Sequence, residues 1–322
     1  MKKFISRTPI FILCVWLLSV SVNAARMLIP GGQVVALELG DNTVTVAAFD
    51  ETMGAAARQA GLKVGDHILS VNGVEIGSPD DVRYALDRAE GTVKLTVLRN
   101  KKTTKIQIDP QVTQDGPKLG VYLKQGITGV GTVTWYDPDS KKFGTLGHGV
   151  NNPKGELLTL TSGSAYDATV VSVRKGACGN PGQLLGALRG SEPIGALYKN
   201  TNRGVFGRAV KDFTGEPLPV GAGKDVKVGP ATIRSTVQGD KVQEYSVEIL
   251  KIYPNASGAG RNMLLHITDP ALLEVTGGIV QGMSGSPIIQ NGKLVGAVTH
   301  VLVNDPTTGY GIFIENMLDA AA

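Results

Sequence analysis

The chain has 322 residues, of which 42% are apolar and 19% charged, and it carries a net charge of +4. That much apolar residue can bury a core, which excludes a disordered chain or a coiled coil; at roughly 100–200 residues per domain the length asks for two or three domains. A charge of +4 without a basic stripe or an interleaved aromatic patch excludes nucleic acid as the expected partner. In chain order, the first feature is Lys2, Lys3 and Arg7 ahead of an apolar run from Ile10 to Val22, closed by Ala24-Ala25. This is the order of an export signal. At 1.5 Å per residue the run spans about 20 Å, short of the roughly 30 Å hydrocarbon core. Residues 1–26 are therefore expected to be a signal peptide or signal anchor, with the rest of the chain outside the cytoplasm and membrane contact through the N-terminus only. The two cysteines are Cys14, inside that run, and Cys178. One remaining thiol excludes a disulfide framework and a cysteine-based zinc site.

Residues 27–110 form the first expected domain. Glycine is 42 of 322 residues, nearly twice the usual share of about 7%, and points to short strands joined by tight turns. Gln33–Leu39 and Thr43–Phe49 read as strands, Gly54–Ala60 as a short helix with Gly61 at its C′ position. Ile68, Leu69 and Val71 form a strand that ends in an Asn72-Gly73 hairpin turn. Ser78 caps a helix with Pro79 at its first position and Asp80 and Asp81 in its first turn. Val82, Ala85, Leu86 and Ala89 make its apolar face. Strands Thr92–Leu98 and Thr103–Ile108 follow. This order, with Gly61-Leu-Lys-Val-Gly-Asp-His-Ile-Leu-Ser-Val-Asn-Gly73 at its centre, resembles a PDZ domain of the bacterial protease-associated type. The resemblance implies a peptide ligand added as a strand between Val34–Leu39 and the Ser78–Glu90 helix. Its end would be held by the loop and strand amides of Gly32, Val34, Val35, Ala36 and Leu37. Ala36 stands where such loops carry glycine, which turns the expectation toward internal peptides or another part of this chain.

Residues 111–116 read as a linker. Residues 117–322 contain no long amphipathic helix but many strand-like runs: Leu119–Leu123, Gly131–Tyr136, Ala168–Val173, Gln243–Ile252, Met263–Ile267, Gly278–Val280, Pro287–Gln290, Leu294–Val301 and Tyr310–Ile314. Two antiparallel barrels suit this spacing. Gly282-Met-Ser-Gly-Ser-Pro287 has the G-x-S-G-x-P form of the nucleophile loop of chymotrypsin-like serine proteases. A strand, an Asn291-Gly292 turn and a return strand follow it. Glycines at 282 and 285 let a tight turn present the Ser284 hydroxyl while the Gly282 and Ser284 amides converge on an oxyanion. Ser286 is the competing hydroxyl.

A serine nucleophile needs a base. Of four histidines, His67 lies in the first domain, and His266 and His300 follow or sit within strands near the nucleophile loop. His148, in Phe143-Gly-Thr-Leu-Gly-His-Gly149, is the one that a first barrel would supply. An orienting acid between base and nucleophile could be Asp167, Asp212, Asp225, Asp240 or Asp269. Met283 replaces the aspartate that in trypsin-like enzymes pairs with a newly cut N-terminus, so control is expected from the PDZ domain or the membrane instead. With no HExxH and no GxxxxGK[ST] pattern, no metal or phosphate cofactor is expected.

Together with Leu197-Tyr-Lys-Asn-Thr201 and His266-Ile-Thr-Asp-Pro270, these motifs resemble the stage IV sporulation protein B family of serine peptidases. The resemblance implies a mainly β fold, an N-terminal α+β PDZ domain followed by a chymotrypsin-like double β-barrel serine peptidase domain. It implies Ser284 as nucleophile, His148 as base and Asp269 as acid. It also implies export to the space between mother cell and forespore, cleavage near its own N-terminus, and cleavage of the regulator of a membrane-embedded metalloprotease, leading to activation of the late mother-cell sigma factor. Two other classes compete: a PDZ adaptor with an inactive protease fold, and a general quality-control protease, although those place PDZ after the protease domain.

Overall fold

The computed structural model describes residues 26–255 and 260–322. The expected export segment and Cys14 lie outside the described residues. Among the described residues no helix is long and apolar enough to cross a membrane.

The first half runs β1 (Met27–Pro30), β2 (Val34–Phe49), α1 (Ala55–Gln59), β3 (His67–Val71), β4 (Val74–Glu75), α2 (Pro79–Asp87), β5 (Val93–Arg99), β6 (Lys102–Ile108), β7 (Gln111–Thr113), β8 (Gly116–Lys118) and β9 (Val121–Asp137). The second runs β10 (Lys142–Thr145), β11 (Ser162–Arg174), β12 (Gln183–Thr201), β13 (Gly204–Ala209), β14 (Leu218–Pro219), β15 (Gly229–Ser235), β16 (Gln243–Ile252), β17 (Met263–Ile267), α3 (Pro270–Thr276), β18 (Pro287–Gln290), β19 (Lys293–Leu302), β20 (Asp305–Phe313) and α4 (Ile314–Ala321).

Two long strands organise the molecule. β2 and β9 pair antiparallel from Val34↔Thr132 to Leu39↔Ile127, and after a register shift again from Val44↔Gln125 to Phe49↔Val121. At the shift, the Asp41 carboxylate accepts from the Thr43 amide and hydroxyl at 2.8 and 2.6 Å, a local turn that re-aims the ribbon. One half of the ribbon closes a ring β9-β10-β13-β12-β11-β2, the first barrel. The other half joins β3, β5 and β6 to form the PDZ sheet. The second barrel closes as β15-β16-β17-β20-β19-β18. The double barrel and the PDZ domain expected from the sequence are both present.

The division between them differs from the expectation. β1 and the Val34–Leu39 half of β2 are barrel, not PDZ. Val34 packs in the core of the second barrel, and Val35, Leu37 and Leu39 in that of the first. The run shows no alternating polar face, Glu38 alone being exposed, because most of both sides of the strand is covered. The PDZ domain is thus an insertion between two barrel strands, tied to them by continuous backbone. The expected linker 111–116 is a hairpin, β7 pairing β8 through Val112↔Pro117. Gly278–Val280 is not a strand, whereas β12, β13 and β15 were not expected as strands.

Local chemistry follows the sequence where the pattern is strong. Ser78 accepts from the Asp81 amide at 3.2 Å and Pro79 opens α2, and Val82, Ala85 and Leu86 are its buried face. Asp66, 1% exposed, takes two bonds of 2.6 Å from the Arg99 guanidinium, the paired geometry a buried carboxylate requires. Cys178 is an exposed free thiol in the turn between β11 and β12.

Candidate active site

The loop before β18 presents Ser284. Its backbone is clamped from the first barrel: Thr132 of β9 donates its amide to the Ser284 carbonyl at 3.0 Å and its hydroxyl to the Gly282 carbonyl at 2.8 Å. Gly285, at φ +97°, lies so close to β9 that a Cβ would sit 2.1 Å from the Thr132 carbonyl oxygen, so only glycine fits. The Gly285 amide donates to the Val298 carbonyl and the Met283 amide to the Val280 carbonyl. The amides of Gly282 and Ser284 donate to no protein acceptor among the described residues. They are the two donors that the sequence pattern assigned to an oxyanion. Ser286 is fully buried and its hydroxyl donates to the Met283 carbonyl at 2.7 Å, a structural bond that leaves Ser284 as the accessible hydroxyl.

The loop after β10 presents His148. Leu146 and Gly147 both have positive φ, +67° and +68°, and turn the chain so that the imidazole meets the second barrel. His148 Nδ1 lies 2.9 Å from the Gly149 carbonyl. A carbonyl only accepts, so Nδ1 carries the proton and Nε2 keeps its lone pair. Burial pushes the imidazole below its ordinary pKa of 6.5, and the Gly149 bond opposes part of that shift. The ring is therefore neutral at neutral pH.

His148 and Ser284 line one cleft of about 210 Å³. Leu37, Leu39, Ile127, Leu146 and Val150 form its aliphatic walls. The Ser284 hydroxyl donates to the Thr299 carbonyl of β19 at 2.8 Å rather than to His148. Catalytic hydrogen bonds commonly tighten only with substrate in place.

The structure does not bring Asp269 to this cleft. Its carboxylate caps α3, accepting from the Ala271, Leu272 and Ser246 amides at 3.0, 3.1 and 3.2 Å. Asp269 lies beyond the end of β17, while His300, paired with Tyr310, which pairs in turn with Leu264, is level with the start of that strand. A carboxylate that answers the free amides of a helix start is oriented toward them. The other aspartates are placed elsewhere too: Asp167 and Asp240 beside Arg189, Asp212 against Lys141, and Asp225 in a short 3₁₀ turn. None of the five lines the cleft. The group that does meet His148 is His300, with ring centroids 5.0 Å apart. His266 lies beside Thr307 and Thr308, and His67 is hydrogen-bonded to Thr45.

The expected peptide site at Gly32, Val34, Val35, Ala36 and Leu37 is corrected by the fold. This stretch of β2 is paired on one side with β11 and on the other with β9, and the Gly32 amide donates to the Val133 carbonyl at 2.8 Å. An interior strand with both edges taken has no place for an added strand. The PDZ groove lies instead between α2 and the start of β9, a cleft of about 620 Å³ lined by Met53, Val82, Leu86, Leu119, Val121 and Leu123. Among the described residues Val121–Leu123 pairs with β2 alone, which leaves its second edge open there. Gly120, at φ +68°, enters the strand where a Cβ would be 2.2 Å from the Met53 carbonyl oxygen. The signal for it was Leu119-Gly-Val121, the apolar-glycine-apolar loop sought at Ala36 and present at the other end of the domain.

The model of the SpoIVB peptidase S55 family matches residues 115–318, and that of the PDZ domain matches residues 53–99. The putative zinc metalloprotease R01501 of Rhizobium meliloti (strain 1021) is 31% identical over 118 residues, 36% of this chain and 29% of that protein, so the match spans less than a third of that relative. Among solved structures, the inactive form of the Rv3671c protease aligns at 16% identity over 60% of this chain and 82% of that one, with a TM-score of 0.33. Its active form from M. tuberculosis aligns at 17% over 74% and 82%, with a TM-score of 0.35.

Proposed function

Because the chain belongs to the SpoIVB peptidase S55 family, we propose that this serine peptidase is an exported endopeptidase of a sporulation signalling cascade. It cleaves near its own N-terminus and then cuts the regulator of a membrane-embedded metalloprotease between mother cell and forespore, which leads to activation of the late mother-cell sigma factor. The observation that carries the peptidase chemistry is the one cleft that Ser284 and His148 both line, with the Gly282 and Ser284 amides unengaged among the described residues.

In the proposed reaction, a peptide carbonyl enters the cleft and the Ser284 hydroxyl leaves the Thr299 carbonyl for His148 Nε2. Oγ attacks the carbonyl carbon as Nε2 takes its proton, and the Gly282 and Ser284 amides receive the negative oxygen. His148 then gives that proton to the departing amine. A water molecule, deprotonated by the same nitrogen, hydrolyses the acyl-enzyme. Aliphatic walls favour an apolar side chain beside the scissile bond, because a polar one would lose its water without gaining a partner. The groove between α2 and β9 takes an extended segment of a protein substrate as an added strand, and holds it in the same β9 that clamps the nucleophile loop.

The test is intact mass over time for the purified full chain, wild type beside Ser284→Ala. The expected result is loss of N-terminal residues from the wild type alone. Trimming of both at one rate would remove Ser284 as the nucleophile of self-cleavage.

A further inference from the structure

His300 has no place in the reaction so far, yet it is the group packed against its base. The His148 and His300 rings lie 5.0 Å apart at 39°. His300 Nδ1 is buried and has no hydrogen-bond partner among the described residues. A sealed imidazole nitrogen without a partner costs stability, and such a cost is commonly retained where it serves a site. His300 also follows Thr299, whose carbonyl holds the Ser284 hydroxyl. One short stretch of β19 thus touches both reacting groups.

We propose that His300 is the positioning residue of His148. A neutral imidazole holds the ring of the base, and its free Nδ1 lone pair receives an N–H of the imidazolium that forms when Ser284 attacks. The reading rests on Ser284 and His148 being nucleophile and base. The proton from Ser284 Oγ goes to His148 Nε2. His148 then carries two N–H groups and one positive charge. The Nδ1–H, bonded to the Gly149 carbonyl at rest, turns toward His300 Nδ1. No proton passes to His300, and the Nε2 proton leaves with the amine. The charged and titratable groups that face His300 are His148 itself and Arg261, whose guanidinium lies over the Tyr310 ring at 5.1 Å, with Tyr310 its cross-strand neighbour. Burial first, then His148 and Arg261, push the His300 imidazole down to about 4. It therefore stays neutral, an acceptor rather than a second cation, through the range in which the base works.

A fluorophosphonate probe tests this without a known substrate. Ser284 Oγ displaces fluoride from phosphorus and its proton goes to His148, so the labelling rate reads the base. The measurement is the limiting rate and half-saturating probe concentration from pH 4 to 9, with thermal midpoints, for the full-length wild type, His300→Phe, His300→Gln and Ser284→Ala. For His300→Phe the expected limiting rate falls about 100-fold, the low end of what a positioned base contributes, at unchanged half-saturation. Its acid limb moves to lower pH, because an imidazolium without an acceptor loses its proton more readily. His300→Gln, whose amide oxygen can accept, recovers most of the rate. Should the Phe variant not fold, His300→Asn, too short to reach the ring, takes its place with the same expectation. A wild-type rate and pH profile in the Phe or Asn variant overturns the proposal, as does an equal fall in Phe and Gln. Labelling of Ser284→Ala at the wild-type rate would overturn the nucleophile and this inference together. An unlabelled Ser284→Ala beside an unaffected His300→Phe would overturn this inference alone.

Discussion

The nucleophile loop and the base loop are held in different ways. Around Ser284, backbone and small side chains bond one another: Thr132 to two carbonyls, Ser286 to Met283, Gly285 to Val298. Around His148, the ring has, among the described residues, one bond, to the carbonyl of the next residue, and one neighbouring ring. The first loop carries its geometry in contiguous residues and two strands, β9 and β19. The second depends on a side chain that the fold delivers from the other barrel. Preorganised amides are the part of such a site that cannot be allowed to rearrange during reaction, whereas a base must reorient between attack and departure.

The comparison breaks most violently at Gly285. Gly285→Ala places a Cβ against β9 in a backbone conformation that L-residues rarely adopt. We expect loss of fluorophosphonate labelling together with a lower thermal midpoint. A variant with wild-type labelling would mean the loop tolerates movement that its close approach to β9 denies. A milder cut is Thr132→Val, which keeps the shape and removes the hydroxyl held by the Gly282 carbonyl. With a buried acceptor left unpaired, the stability cost is about 1–3 kcal/mol, and the labelling rate should fall by about tenfold, equivalent to about 1.4 kcal/mol. Denaturant midpoints and labelling kinetics check the two halves separately. If stability falls and labelling does not, the clamp serves the fold and not the oxyanion donors.

Acid should loosen the base loop more than the nucleophile loop. His67, His148 and His300 all sit below the ordinary 6.5, each chiefly through burial, His300 at about 4. As pH falls, the unfolded chain therefore takes up protons before the folded one does. The stability that these neutral rings contribute is complete above about pH 6.5 and is lost as pH falls toward 4. Thermal midpoints at pH 7.5 and 4.5 should differ, and the difference should shrink in His300→Phe. A midpoint flat across that window would show that the rings can charge in place.

The same contrast governs what could be read from the residues alone. Gly282-Met-Ser-Gly-Ser-Pro287 was legible because its chemistry is local: glycines where the turn needs them, and a hairpin behind. That His148 shares a cleft with Ser284 followed from barrel order. The acid did not follow, since Asp269 and His148 are joined by no periodicity, and a Thr-Asp-Pro stretch suits a helix cap as well as a catalytic carboxylate. His300 was visible as a strand histidine, but its contact with His148 exists only once two barrels meet. The PDZ elements were legible one by one through Ser78, Pro79 and Asn72-Gly73. Their groove was misplaced because β2 is a single strand that serves two domains, and a buried barrel strand and a buried PDZ strand share one pattern of valine and leucine.

The smallest expected effect separates the two loops most cleanly. Asp269→Asn keeps a side-chain oxygen that can cap α3, and asparagine ranks with aspartate at that position. Cap and triad member then predict different outcomes for one substitution. As a cap, Asp269→Asn leaves labelling within a few-fold of wild type, and Asp269→Ala loses about 1 kcal/mol of stability with labelling still largely intact. As the residue that fixes the tautomer of the base, Asp269→Asn would lower turnover by about 10⁴. In this structure the tautomer is already fixed by the Gly149 carbonyl and the cap carboxylate is already spent on three amides, so the few-fold outcome is expected. A fall of several thousandfold at an unchanged thermal midpoint would require α3 to unwind and Asp269 to reach His148 in the active form.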